Sequence, residues 1–566
     1  MATPNAALTD GDHASNISST SKKLHGRAFY ESLGSPKFVL APMVDQSEFA
    51  WRMLTRSFMT PMMAKSVLAY SPMLHARMFT ETAKFRDCHF QPIRSGLADN
   101  SGTIEQAIPY LDGHPSLDRP LFVQFCANNP DELLEAAEYV APFCDAVDLN
   151  LGCPQGIARK GQYGAFLQED QTLVHDLIKK LHEKLSVPVT AKIRILETKE
   201  KTLEYARNVL SAGASILTVH GRHRDQKGHK TGLADWTIIR YLRANLPNDT
   251  VLFANGNILR RSDIDSCLEQ TGADAIMSAE GNLYDPAIFA DPPAIGKEGR
   301  EYWRGKDGRG GYRMDAVMRR YMDILYKYIL EVPAPTRKPL FLPSDPPEQP
   351  TAEEAEEQAG EEDEQPPKKK RKTMKKEKTS SPNLLAMQPH LFRMLRPLVR
   401  KHHHVRDALA KSRAGDIAAF ESVLQLVEKV VKDALTEYEA TDGKSIEDDM
   451  EENERLPPSP PEVALAGNDE YESSVKTVKD CKRPWWICQP YVRPLPVEAL
   501  RNGSLTLSKK EMAKLSDEEK KKILEPHRSE VAAMSEDVNL EGSIKTERID
   551  GGTEKVEVPV GGLVCG

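Results

Sequence analysis

The chain has 566 residues, enough for two or three domains with a sizeable core, and a formal net charge of −8 with 40% hydrophobic residues. No apolar stretch reaches the roughly eighteen residues a membrane-spanning helix needs, so no membrane span is expected. Eight cysteines (Cys88, Cys126, Cys144, Cys153, Cys267, Cys481, Cys488 and Cys565) are scattered singly, which excludes a disulfide scaffold, and no C-x-x-C pair suggests a metal.

The first thirty residues carry Ser, Asn and Thr without an apolar run, and 1–30 is read as an unstructured tail with no secretory signal. Short apolar runs then alternate with stretches of helical period. The runs are FVLAPM (38–43), PMMAKSV (61–67), LFVQFC (121–126), AVDLNLG (146–152), VTAKIRI (189–195), ILTVHG (216–221), VLFANG (251–256) and AIMSAEG (275–281). Asp131, Asp235 and Ser262 stand where helix N-caps belong. Continuous apolar strands separated by helices indicate a parallel sheet covered on both faces. Eight of them over 31–300 predict an α/β fold, a TIM (β/α)₈ barrel, with a doubly wound open sheet as the alternative.

Beyond the barrel, 312–440 reads as an all-α domain interrupted by a disordered insertion, 341–382, rich in Pro, Glu and Lys. Residues 441–566 read as mostly unstructured, apart from the aromatic segment PWWICQPYVRP (484–494). Charge is segregated along this half: 351–364 is nearly an acidic block, 368–378 is a lysine run, and Arg393 to Arg413 is rich in Arg, Lys and His. Local basic surface decides whether a phosphate backbone is attracted, so the negative total does not exclude a nucleic acid. The triplet His402 to His404 reads as part of a solvated basic face, because consecutive helical residues point in different directions.

Chemistry in such a barrel sits at the carboxyl ends of its strands. Those ends are Pro42-Met43-Val44, Gln124, Asn150 with Gly152-Cys153-Pro154, Lys192, His220-Gly221, Asn255-Gly256-Asn257 and Ala279-Glu280-Gly281. A histidine there is more often structural than functional, and a lone cysteine is more often a small buried hydrophobe. A strand-end lysine is harder to dismiss, since burying an uncompensated ammonium is costly.

Taken together, LAPMVDQSEFAWRML, VQFCANNP, DLNLGCPQ with KGQYGAFL, VTAKIRI, TVHGR and FANGNI resemble the tRNA-dihydrouridine synthase family, in the family's order. GCPQGIARKGQYGAFL and WWICQPYVRP look most like the eukaryotic branch acting at tRNA positions 16 and 17. The resemblance implies flavin mononucleotide (FMN) as cofactor, NADPH or NADH as co-substrate and tRNA as partner. It places Pro42, Met43 and Val44 under the flavin ring, Gln124 on its polar edge, Lys192 near its N1/O2 side and His220 beside it. The phosphate would rest around Asn255, Gly256 and Asn257 and around Ala279, Glu280 and Gly281. Glu280 departs from the Gly-Arg of many bacterial relatives, and a carboxylate cannot clamp a phosphate. It is expected to point away or to meet ribose, leaving the backbone to hold the anion.

On this reading uridine takes hydride at C6 and a proton at C5 from Cys153, whose thiol, with an ordinary pKa of about 8.5, is protonated at neutral pH. Asn150 would hold the uracil edge, and Gly156, Gly161 and Gly164 suggest a mobile loop carrying Cys153. Arg393, Arg396, Arg400 and Lys401 would meet tRNA phosphates. A monomer is expected, cytoplasmic or nuclear, with Pro367–Lys372 as an import signal, a solvated charge run or an RNA tether. The competing readings are an FMN-dependent barrel reductase of a free small molecule and a non-catalytic tRNA-binding chaperone.

Overall fold

Strands β1 (Phe38–Leu40), β2 (Val67–Tyr70), β4 (Leu121–Cys126), β5 (Ala146–Leu151), β6 (Val189–Arg194), β7 (Ile216–His220), β8 (Val251–Asn255) and β9 (Ala275–Ser278) form one parallel barrel. The computed structural model describes residues 23–97, 108–346, 379–446, 474–501 and 505. Neighbours pair in the order β2-β1-β9-β8-β7-β6-β5-β4, and β2 closes the ring onto β4 through Ala69 with Leu121 and Tyr70 with Phe122. A two-residue strand, β3 (Leu74–His75), adds to the far end of β4, so the sheet has nine strands and the barrel eight. Every residue of β4 to β8 is buried, which is why these strands read as unbroken apolar runs.

Local chemistry shifts some expected boundaries. PMMAKSV is not a strand: Pro61–Ala64 is a helical turn, capped by Thr60, whose hydroxyl accepts from the Met63 amide at 3.4 Å. A Thr-Pro pair satisfies the N-cap and first helical positions better than it extends a strand, so β2 starts at Val67. Asp235 caps its helix as expected. The helix Pro130–Val140 is capped by Asn129 rather than Asp131. In the next case Asp263, not Ser262, accepts from the amides of Leu259 and Arg260. The stretch read as a tail is ordered at its end: the helix Gly26–Ser32 buries Phe29 and Tyr30 against Phe122 and Phe253. The edges of the insertion are also engaged, since Asp345 pairs with Arg300 and accepts from the Leu342 amide.

The hairpin β10 (Tyr302–Arg304) and β11 (Gly310–Tyr312) leads into a helical layer comprising Met314–Ile324, Met387–Met394, Arg396–Lys401, His403–Lys411 and Ile417–Ala440. Ile417–Ala440 buries Phe420, Val423, Leu424, Val427, Val431 and Leu435, one stripe at helical spacing. This layer docks through a polar seam inside an apolar contact. The His390 ring stacks on Trp51 at 3.9 Å between centroids, with its Nε2 3.0 Å from Glu48 Oε1. Trp51 Nε1 donates to Asn282 Oδ1 at 2.7 Å, and the Ala50 amide donates to Asn383 Oδ1 at 2.9 Å.

The aromatic segment 484–494 lies across the hairpin. Trp486, Ile487 and Cys488 are buried, the Met314 amide donates to Trp486 O, and the Cys488 amide donates to Tyr312 O. Gly311 is required there, because a Cβ would come within 2.4 Å of Ile487 Cγ2. Among the described residues no helix is long and apolar enough to cross a membrane, and no His, Cys, Asp or Glu cluster could hold a metal ion.

Candidate active site

Alternate residues of a barrel strand point inward, and the register brings the polar ones into rows. Gln124 lies beside Asp148 and Thr190; Asn150 lies beside Lys192 and Thr218; Arg194 lies beside His220, which lies beside Asn255. All of these side chains are buried. Sequence reasoning missed Asp148 and Arg194, although they follow the same two-residue spacing as Asn150 and Lys192.

A directed hydrogen-bond chain runs through the first rows. Thr190 Oγ1 donates to Asp148 Oδ1 at 2.6 Å, and Gln124 Nε2 donates to Asp148 Oδ2 at 2.8 Å. Asn150 Nδ2 donates to Gln124 Oε1 at 2.8 Å, and Asn150 Oδ1 accepts from the amides of Gly152 (3.1 Å) and Cys153 (2.9 Å). A carboxylate can only accept and backbone amides can only donate, so the two ends dictate the orientation of both amide side chains. Burial pushes the Asp148 carboxyl up to about 6, against hydrogen bonds from Thr190 and Gln124 and the charge of Lys192. Asn150, expected at the uracil edge, therefore shapes the Cys153 loop with its carbonyl. Each amide nitrogen has a second N–H beyond these bonds.

Cys153 sits two residues past β5 in a small buried cluster with Cys126, Ala158 and Tyr163. Its loop is tied down rather than mobile. Arg194 Nε donates to Gly152 O at 2.8 Å, Lys227 Nζ to Pro154 O at 2.7 Å, and the Ala165 amide to Cys153 O at 3.1 Å. Gly164 has φ +66°, and a Cβ there would come within 2.8 Å of Cys153 O and 2.9 Å of its Cβ. That glycine serves close approach, not flexibility, and Gly156 begins a helical turn, Gly156–Lys160. Gly164→Ala is expected to cost about 1–3 kcal/mol of stability and to expose the Cys153 thiol. Thermal unfolding and the rate of thiol labelling check this, and a variant that melts and labels like the parent refutes the packing role.

Cations gather on the other side of the mouth. Arg222 donates to His220 Nε2 at 3.0 Å, to Asn257 Oδ1 at 2.8 Å and to Gly232 O at 3.1 Å. Burial, reinforced by the charges of Arg194, Lys192 and Arg222, drives His220 well below the usual imidazole range, so its ring is neutral. With Nε2 accepting, the proton is on Nδ1, which has no partner among the described residues. The buried Asn255 Oδ1 beside it likewise has none. Gly256, at φ +116°, leaves room for Ala234, whose Cβ a side chain would approach to 2.5 Å. Asn257 braces this turn by exchanging hydrogen bonds with the Ala234 backbone.

Pro42 and Met43 are buried and Val44 half-buried at the end of β1, where the Met43 amide donates to Ser47 Oγ at 3.0 Å. Ala279 precedes the short helix Glu280–Tyr284 after β9. The Glu280 carboxylate is occupied by a cation, accepting from Arg493 Nη2 at 2.6 Å and Nε at 3.1 Å. No local pattern could have paired residues so distant in the chain. Of the expected RNA-binding cations, Arg396, Arg400 and Lys401 are exposed, while Arg393 is half-buried toward Tyr284 and Glu280. Arg396 lies over the Tyr491 ring at 3.8 Å, and Lys401 is 5.4 Å from the Trp485 centroid.

Residues 39–328 match the family model described as dihydrouridine synthase (Dus). Over 480 residues the chain is 38% identical to tRNA-dihydrouridine(16/17) synthase of Schizosaccharomyces pombe, covering 84% of this chain and 93% of that one. The protein of the same name from Saccharomyces cerevisiae is 40% identical over 499 residues, with 88% and 91% covered. A mouse protein named as tRNA-dihydrouridine(16/17) synthase-like is 44% identical over 284 residues, 50% of this chain and 54% of that one.

Proposed function

We infer the reaction from one fact: the chain belongs to the dihydrouridine synthase family. It is an oxidoreductase that reduces the C5–C6 double bond of uridines in the D-loop of tRNA, at positions 16 and 17, with electrons from NADPH or NADH. The geometry that supports it is the Asp148–Gln124–Asn150 chain. It fixes Cys153 at the mouth of a barrel whose next strand ends present Lys192, Arg194 and His220.

The residues fit FMN. A donor, His220 Nδ1, and an acceptor, Asn255 Oδ1, lie buried on adjoining strands without protein partners among the described residues, as a polar ring edge requires. Pro42, Met43 and Val44 would form its platform, Gln124 would offer its second amide N–H, and Lys192 would add positive charge beside the ring. Gly256, Asn257 and the Ala279–Glu280 turn would border its phosphate. FMN, when bound, would supply hydride to C6 of the uracil. Cys153 then donates its proton to C5, completing the two-electron reduction, and regains a proton from solvent.

A uridine in folded tRNA must leave its stack to reach this mouth. Arg393, Arg396, Arg400 and Lys401 would hold the flanking phosphates, joined by Arg159 and Lys160, exposed on the turn after Cys153. We take the protein as a monomer of the cytoplasm, the nucleus or both; Pro367–Lys372, which supports import, lies outside the described residues.

Purified protein, expected to be yellow, should form dihydrouridine at positions 16 and 17 of an unmodified tRNA transcript given NADPH. Reduction of free pyrimidines with tRNA untouched would favour the small-molecule reductase. Flavin-free protein that still binds tRNA would favour the chaperone.

A further inference from the structure

Positive charge gathers at the barrel mouth beyond β7 to β9. Arg222 sits there, bonded to His220 and Asn257, and the charges of Glu280 and Arg493 both reach it. Burial and the neighbouring Arg194 push the Arg222 guanidinium down to about 10. Arg393, half-buried across the seam, faces the same Glu280 and the same Arg493. Among the described residues one carboxylate, Glu280, thus stands near the guanidinium groups of Arg222, Arg393 and Arg493. Partly buried cations in such excess are costly without an anion.

Arg493 is the cation whose position the chain goes furthest to arrange. Its segment is anchored by buried Trp486, Ile487 and Cys488, and Tyr491 is held between Tyr284 of the barrel (5.8 Å) and Arg396 of the helical layer (3.8 Å). Glu280 takes Nε and Nη2 of Arg493, and among the described residues Nη1 makes no hydrogen bond. A guanidinium has five donors in a rigid fork, so one face can be held by a carboxylate while another meets an anion.

We propose that Arg493, delivered to the barrel mouth by the segment that follows the helical layer, is a phosphate-binding residue for the flavin, with Glu280 as its positioning residue. This rests on the reading that the barrel binds FMN. It assigns Glu280 an indirect part in holding an anion it cannot touch, and it makes flavin retention depend on a segment far from the barrel in sequence.

The test is a titration of full-length protein, stripped of flavin, with FMN and with riboflavin, which lacks the phosphate, followed by quenching of flavin fluorescence. Arg493→Ala should weaken FMN roughly ten- to hundredfold and leave riboflavin unchanged, collapsing the preference for FMN. Arg493→Lys should recover part of the loss, and Glu280→Gln, which loosens the fork that Glu280 holds, should weaken FMN less than Arg493→Ala does and leave riboflavin unchanged. If Arg493 only ties the segment down, riboflavin will fall with FMN in Arg493→Ala and in Glu280→Gln alike; that pattern overturns the assignment. Unchanged FMN binding with weakened tRNA binding in Arg493→Ala overturns it too, moving the cation to the RNA. Wild-type protein that binds neither flavin would instead overturn the flavin reading itself, and this assignment with it.

Discussion

Cys153→Ala should lower dihydrouridine formation by roughly 10²- to 10⁴-fold, the range a positioned general acid contributes. Flavin and tRNA should still bind, and NADPH should still bleach the flavin, because hydride delivery from the nicotinamide needs no proton donor on the uracil side. The expectation rests on placement as much as on the thiol. The Cys153 amide is held by Asn150, its carbonyl by Ala165, and the preceding carbonyl by Arg194. Alanine keeps all three backbone bonds and removes only the Sγ, so the loss would report the proton. Single-turnover product formation measures it; wild-type turnover in the variant would end the acid assignment.

The second large effect is on folding. Asp118 is fully buried and accepts from Arg52 Nε (2.9 Å) and Nη2 (2.5 Å), from Arg56 Nη1 (2.7 Å) and from the Gly113 amide (2.9 Å). Among the described residues, removing it leaves the buried Arg56 guanidinium with backbone carbonyls only and Arg52 with Asp112 as its one carboxylate partner. Asp118→Ala should therefore cost about 3–5 kcal/mol. The damage should reach the barrel mouth, because Arg52 also donates to Ser47 O at 2.7 Å and Ser47 holds the Met43 turn. Burial alone would raise the Asp118 carboxyl, but the charges and hydrogen bonds of Arg52 and Arg56 hold it below the usual carboxylate range. A depressed carboxyl contributes stability that is present above its unfolded pKa and lost as pH falls through the folded one. Asp112, which burial raises despite Arg52, works in the opposite sense. Chemical denaturation at neutral pH and in acid should therefore show a less stable variant whose remaining stability falls less steeply below about pH 4, near the unfolded carboxyl pKa. Parent-like stability at neutral pH would contradict the account.

The barrel was legible because each strand of β4 to β8 is buried on both faces and so reads as an apolar run by itself. The strand-end residues were legible for the same local reason: wherever a run stops, its last residues face the mouth. The start of β2 was not, because methionines after Thr60-Pro61 mimic a strand while the cap chemistry favours a turn. The loop glycines suggest flexibility in isolation, since nothing local shows that Gly164 lies against Cys153.

The parallel barrel, its order of strands and the thiol at one strand's end are thus written in periodicity or in adjacent residues. The partners emerge with the folded chain: Asp148 for Gln124, Asn150 for the Cys153 loop, Asp118 for Arg52, and Arg493 for Glu280. The last two pairs are separated by 66 and 213 residues. Burying one face is a demand each segment meets alone, so it leaves a local pattern. Choosing a hydrogen-bond partner depends on which chain ends meet once the barrel closes and the last segment docks, and no local pattern carries that.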